Sequence, residues 1–291
     1  GRGPGRVPLR AGPGRGGVER GISELARALS DAGGKAVVIS SGGTLVRHLD
    51  RIGAVHHTLP VGMKNPLAWS SLRRRVKRIL KDEGADVVHV RSRVPAQIAL
   101  PAAKSLGIIS VSTVHGRFQN TSPLKRIFNG KMLAADHIIA ISRYVKTQIE
   151  RQFGEQGSKL TVVQRGVDTE VFDPAAVAQS RIIRFVDSIA LPEDQPVIML
   201  PARPTAWKGH EILLEALATI ADRPFIYDLL GAADGEQAFM DTLPKTGPSL
   251  APERRPRLAP RGEDLPAAVP PAGLVALPSV KRDAVSPRSR P

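Results

Sequence analysis

The chain has 291 residues, of which 42% are hydrophobic and 4% aromatic, with a formal net charge of +15 and no cysteine. That length accommodates two domains of ordinary size, each with its own core, and the apolar content excludes a disordered chain. The absence of cysteine excludes disulfide staples and thiolate metal sites and suits a reducing cytoplasm; no apolar run reaches the roughly 18–20 residues of a bilayer span, and the start has no signal-peptide core.

Residues 1–15 are mostly Gly, Arg and Pro, and only Val7-Pro8-Leu9 hints at a strand. In RGGVERGISELARALSDAGG, residues 15–34, Ile22, Leu25, Ala26 and Leu29 recur at helical spacing, with Gly16 and Gly17 at the amino end. Glycines let a backbone approach a ligand, and the free N–H groups of a helix start favour phosphate or carboxylate; a plain loop-to-helix turn is the alternative.

From residue 35, β-branched runs alternate with amphipathic segments. AVVIS, VHHTLP, DVVHV, IISVSTV, DHIIAIS and LTVVQ read as strands, with helices near 44–51, 71–83, 94–106, 123–134 and 143–153. This predicts a parallel sheet covered on both faces, with right-handed crossovers and ligands at the carboxyl ends of the strands. Pro101 predicts a kink or break in its helix. In SSLRRRVKRILK, Arg73, Arg74, Arg75, Lys77, Arg78 and Lys81 oppose a stripe of Leu72, Val76, Ile79 and Leu80. Such a helix lies on an anionic membrane, meets phosphates, or presents a solvated face. Few aromatics, no RNA-reading signature and no zinc spacing leave charge alone to support a nucleic-acid partner, and none is expected.

His115 closes the apolar run before TVHG and is suited to donate to a sugar hydroxyl, act as acid or base, or cap the strand. His56, His57 and His137 read as structural, and no metal site is expected. After RGVDTEVFDP the pattern pauses, so a domain boundary is expected at 174–190; VIMLP, KGHEILLEALATI and PFIYDLLG then start a second series. There Arg203 follows a strand, Lys208 opens a helix and Gly209 permits close approach, a set suited to a diphosphate. Eleven prolines between 244 and 291 predict poor order there, with PAAVPPAG unable to form a helix.

GGVERG, DVVHVRSRVPA, TVHG, IIAIS, VVQRGVDTEVF and RPTAWKGHEILLEAL, in this order, resemble the landmarks of family 4 glycosyltransferases, nearest in flavour to bacterial lipopolysaccharide-core and envelope sugar transferases. The resemblance implies an α/β protein of two facing Rossmann-like domains, the GT-B architecture: an acceptor-side domain over 16–180 and an incomplete nucleotide-sugar-binding domain over 190–291. It implies retaining transfer from a nucleotide sugar to a glycan or lipid-linked acceptor, without metal or other cofactor. Arg203, Lys208 and Gly209 would bind the donor diphosphate, with Gly16 and Gly17 lining the cleft opposite; His115 would contact sugar or acceptor, and Arg91 and Arg93 the acceptor. The family's glutamate pair, eight positions apart, meets Asp283 and Pro291 here, and the closing helices are missing. A carboxyl-terminally truncated chain with an incomplete donor site is therefore expected, and an inert nucleotide- or anion-binding module of the same shape is the alternative. The expected setting is cytoplasmic, peripheral at the inner membrane through residues 71–81.

Overall fold

A computed structural model describes residues 6–9, 17–43, 45–189, 191, 196–202, 205–220, 226–232, 257–260 and 264–280. The chain divides into two compact units, Gly1–Gln164 and Arg165–Pro291. The division falls ahead of the 174–190 interval in which the sequence pattern pauses.

The first unit is a βα series. Its strands are β1 (Arg6–Leu9), β2 (Val37–Ser40), β3 (Val55–Thr58), β4 (Val87–Val90), β5 (Ile109–Val114), β6 (His137–Ala140) and β7 (Leu160–Val162). They form one parallel sheet in the order β3-β2-β1-β4-β5-β6-β7. The order reverses between β1 and β4, which makes the carboxyl ends of those strands the expected ligand crevice. Helices α1 (Gly17–Asp31), α2 (Leu45–Arg51), α3 (Trp69–Asp82), α4 (Arg93–Lys104), α5 (Pro123–Gly130) and α6 (Arg143–Phe153) connect the strands. All four residues of β2 are buried, as a strand covered on both faces requires. Ile22 and Ala26 of α1 pack with Val38, Leu49 and Ala54.

Three expectations need correction here. The Gly/Arg/Pro-rich start, for which poor order is the expectation, contributes an interior strand where Val7-Pro8-Leu9 hints at one: β1, third in the sheet, pairs with β4 along its whole length, Arg6 to Val87 through Leu9 to Val90. Its pairing with β2 is reduced to Leu9 and Ile39, in keeping with a Pro8 that has no N–H to donate. Pro101 does not end α4, which runs on to Lys104. The proline sits in the last turn, and the buried Val94, Ala96, Ile98, Ala99, Leu100, Ala102 and Ala103 supply packing that outweighs a penalty of about 3 kcal/mol. Finally, the Leu72, Val76 and Leu80 stripe of α3 is buried within the unit, where α3 packs on α4. That helix has no free apolar face to lay on a membrane.

The second unit holds α7 (Gln179–Ser188), β8 (Val197–Pro201), α8 (His210–Ala218), β9 (Ile226–Ala232), β10 (Arg257–Pro260), α9 (Leu265–Ala268) and β11 (Leu274–Val275). The strands are parallel in the order β10-β9-β8-β11. Alternation along β8 sends Ile198 and Leu200 to Leu213, Leu214 and Leu217 of α8, and Val197 and Met199 to Phe185, Ala267 and Ala268 on the other face. The described parts of 244–291 thus carry two strands and a helical turn, where poor order was expected. Only the start of PAAVPPAG is helical, Pro266 to Ala268 in a single turn: Pro266 occupies its first turn, where no N–H is needed, and Asp264 accepts from the Ala267 N–H at 3.1 Å as its cap. Asp264 also takes a two-pronged bond from Arg181, at 3.0 and 2.6 Å, which ties α7 to α9 and holds the carboxyl below its usual range.

Candidate functional site

In the second unit, the segment after β8 is stitched to the segment after β11. A 3-10 turn, Ala206–Lys208, leads into Gly209, whose backbone is left-handed (φ 80°, ψ 29°) and caps α8. A Cβ at Gly209 would lie 2.1 Å from the Pro278 carbonyl oxygen. The close approach that this glycine permits is therefore made by the chain's own Pro278-Ser279 segment, a correction to the expectation that a ligand makes it. The Val280 N–H donates to the Trp207 carbonyl at 3.0 Å, and the Ala276 N–H to Met199 at 2.8 Å. Lys208 precedes α8 by two positions rather than opening it, and its Nζ lies 4.1 Å from the centre of the Trp207 ring. The cation is thereby anchored on an aromatic face beside the ends of two parallel strands.

His210, the first residue of α8, is fully buried. Burial pushes its pKa below the ordinary value; backbone bonds with Thr205 and Ala202 oppose the shift, and the Lys208 charge adds to it. The neutral ring thus engages the backbone of Ala202 and Thr205. Arg203 itself lies outside the described residues, as do Gly16 and Asp283. Gly17 is the first residue of α1 rather than part of a loop before it.

In the first unit the ends of β4 and β5 bring Arg91 and His115 together. Arg91 Nη1 donates to the Gly21 carbonyl at 2.6 Å, and Nε points at His115 Nε2 at 3.5 Å. Gly21 is the glycine that matters to this seat, since a Cβ there would lie 2.8 Å from Arg91 Nη2. A glycine inside a helix costs about 1 kcal/mol relative to alanine and calls for a packing reason; that was the available signal in GGVERG.

Arg93 opens a relay. Its Nη1 donates to Asn129 Oδ1 at 3.2 Å, Asn129 Nδ2 to Asn120 Oδ1 at 2.7 Å, and Asn120 Nδ2 to Gln152 Oε1 at 2.6 Å. With Asn129 buried, the relay joins α4, α5, the loop after β5 and α6. Arg93 thus braces the loop that follows His115. Ser142 caps α6 through the Val145 N–H, a structural role. Elsewhere in the unit, His57 and Lys35 hold Glu83 at 2.7 Å each and depress its pKa, with the Lys35 hydrogen bond the larger cause. Among the described residues no group of three His, Asp or Glu side chains is placed to hold a metal ion, and no helix is long and apolar enough to cross a membrane.

Two parallel α/β sheets, matched over nearly the whole chain by a solved glycosyltransferase, give the protein the fold of the GT-B glycosyltransferase class. The Glycosyltransferase Family 4 profile matches residues 15–171 of the 291, and the chain belongs to that family. A glycosyltransferase from Rickettsia africae is 28% identical with a TM-score of 0.84, over 97% of this chain and 74% of that one. HepE from Anabaena, solved with UDP-glucose, has a TM-score of 0.78 over 96% of this chain and 74% of its own, at 20% identity, a likeness of fold alone. The D-inositol 3-phosphate glycosyltransferase of Xylanimonas cellulosilytica is 25% identical over 171 residues, 54% of this chain and 41% of that protein. The second such enzyme of Catenulispora acidiphila is 24% identical over 236 residues, 72% of this chain and 53% of its own. The chain spans about half the length, or less, of these curated relatives.

Proposed function

We propose that this chain moves a sugar from a nucleotide-sugar donor to a hydroxyl group of an acceptor with retention of anomeric configuration. The bond between the anomeric carbon and the diphosphate breaks, and its electron pair leaves with the diphosphate. The acceptor oxygen forms the new bond on the same face and passes its proton to the departing diphosphate oxygen. Lys208, with Arg203, offsets the charge that the leaving diphosphate gains. The observation that carries this reading is the Lys208 turn, locked by Gly209 on Pro278 and by Val280 on Trp207 at the ends of two parallel strands. No metal or cofactor is invoked.

Arg91, seated by Gly21 beside His115, serves the acceptor, and Arg93 braces the adjoining loop. One proposed acceptor is a glycan or lipid-linked sugar of envelope or lipopolysaccharide synthesis, handled at the cytoplasmic face of the inner membrane. A phosphorylated polyol, of the kind that the relatives' names state, is favoured by a specific observation: residues 87–135, which include Arg91, Arg93 and His115, contain no Asp or Glu.

The test is incubation of the full chain with a panel of labelled UDP-, GDP- and ADP-sugars, alone and with inositol phosphates or lipid-linked glycans, scored by transfer and by the anomeric signal of the product. Retaining transfer to one acceptor class is expected. Nucleotide binding without hydrolysis or transfer would instead assign the chain as an inert binding module of the same fold.

A further inference from the structure

Apolar side chains are normally exposed singly, and a contiguous exposed group with aromatics calls for a partner. The first unit carries exposed residues of this kind in the loop between β3 and α3 and on α5. Leu67 is 87% exposed, Leu124 79%, Ile127 74% and Met63 42%. Leu124 and Ile127 share one face of α5 with Phe128, whose ring centre lies 6.2 Å from that of Trp69 at the start of α3. That ring pair joins α5 to the Met63–Trp69 loop, which a bond from Trp69 Nε1 to the Met63 carbonyl closes at 2.9 Å. With its indole N–H satisfied inside the protein, the Trp69 ring is free of a polar demand and suits an interfacial layer.

The charge around this patch has one sign. Residues 59–81 contain no Asp or Glu, and neither do residues 87–135. Lys64, Lys125 and Arg126 are exposed among the apolar residues, and Arg73 lies one turn beyond Trp69 on α3, ahead of the exposed Arg74, Arg75 and Arg78. Since Leu72, Val76 and Leu80 are buried, α3 offers charge alone. Its apolar complement is the Leu67, Leu124 and Ile127 knob.

We propose that the Met63–Trp69 loop and α5 dock on an anionic lipid bilayer, with Leu67, Leu124, Ile127 and the Trp69 ring entering the headgroup region while the α3 arginines bind the charged surface. A protein partner with the same reach would need an acidic rim around an apolar pocket; a bilayer supplies negative charge over apolar depth without further specification. The inference rests on the membrane setting proposed above and says which residues make the contact.

The experiment uses the full chain with vesicles of phosphatidylcholine alone and of phosphatidylcholine with phosphatidylglycerol in equal parts, at about 0.1 M and about 1 M salt. Neither vesicle contains donor or acceptor, so loss of sugar transfer leaves the docking result standing, and loss of docking leaves the transfer reading standing. The expected result is binding to the anionic vesicles that weakens with salt and falls at least about tenfold in L124S/I127S, or about 1.4 kcal/mol. In W207F, which leaves Trp69 as the sole tryptophan, emission should shift to the blue on binding. The charge variant R74E/R75E/R78E should lose the preference for anionic lipid. Absence of binding by the full chain, unchanged binding by L124S/I127S, or unchanged Trp69 emission in the bound state would overturn the proposal. Self-association that L124S/I127S abolishes, with no vesicle binding, would also overturn it and give the patch to a second copy.

Discussion

The two units hold their site residues by opposite means. In the first, side chains hold side chains: Arg91 rests on the Gly21 carbonyl, and Arg93 is tied through Asn129 and Asn120 to Gln152. In the second, backbone holds backbone: Gly209 admits Pro278, and Val280 bonds to Trp207, so that Lys208 is carried on a loop with little freedom of its own. The first arrangement tolerates change at one member with local loosening. The second leaves no room for a single methyl group. Under the proposed reading, a rigid cradle suits the constant diphosphate of UDP-, GDP- and ADP-sugars, whereas an adaptable network suits an acceptor whose shape varies.

The strongest way to break this comparison is Gly209→Val. The left-handed backbone penalises a side chain by about 1–2 kcal/mol and the clash with Pro278 adds about 1–3 kcal/mol. Hydrogen exchange should show the second unit losing about 3 kcal/mol or more while β2 and β4 keep their protection; equal loss in both units would show that the strain is not confined. Asn129→Leu should follow, at about 1 kcal/mol, because the two hydrogen bonds of the buried amide are lost while exposed Arg93 and half-buried Asn120 keep access to water. Urea unfolding followed in the first unit checks it, and an effect under about 0.5 kcal/mol would mean that water replaces the amide.

Lys208→Ala should leave unfolding unchanged and raise the donor KM roughly 10- to 100-fold, the worth of a charge-assisted bond of about 1.5–3 kcal/mol. A normal donor KM would separate the rigid turn from donor binding. pH offers a subtler contrast. His210 is buried neutral with its pKa depressed, so its contribution is complete above the ordinary histidine pKa, near 6.5, and is lost as pH falls from there toward the folded value. His56 has the same sign in the first unit, chiefly from burial, with Asp50 opposing, but keeps partial contact with water. Protection of α8 should therefore drop more between pH 7.5 and 5.5 than that of α1 and α2. Smallest of all, Gly21→Ala should change stability by no more than about 1 kcal/mol, since helix propensity improves and the obstructing atom is the mobile end of Arg91. The same change should raise the acceptor KM, which links that seat to the acceptor.

Much of the first unit is legible because its strands are covered on both faces and read as β-branched runs; the six runs from AVVIS to LTVVQ each contain the observed strand. β1 is only hinted at, by Val7-Pro8-Leu9, since RVPL sits in Gly/Arg/Pro-rich surroundings and gains strand character from β4, far along the chain. Placement was legible where pattern is local, as in Arg91 and His115 just after their strands and Lys208 just ahead of α8. It was hidden where a residue's meaning comes from a distant partner. Gly209 announces a special backbone, but nothing in the sequence says that Pro278 fills the space. Asn120, Asn129 and Gln152 have no periodicity that marks a relay, and Leu124 and Ile127 have the spacing of core residues although they face outward.

The position of β1 has a consequence in time. As the protein is synthesised, Arg6–Leu9 precedes the other described strands of its sheet, yet the residues that pair with it in full, Val87–Val90, emerge only after β2 and β3 are complete. Until then the growing chain offers an unsealed strand edge, the kind of surface on which neighbouring polypeptides pair. Closure of the sheet's centre is thus a late, long-range event, and the yield of folded protein should depend on how long β4 takes to leave the ribosome.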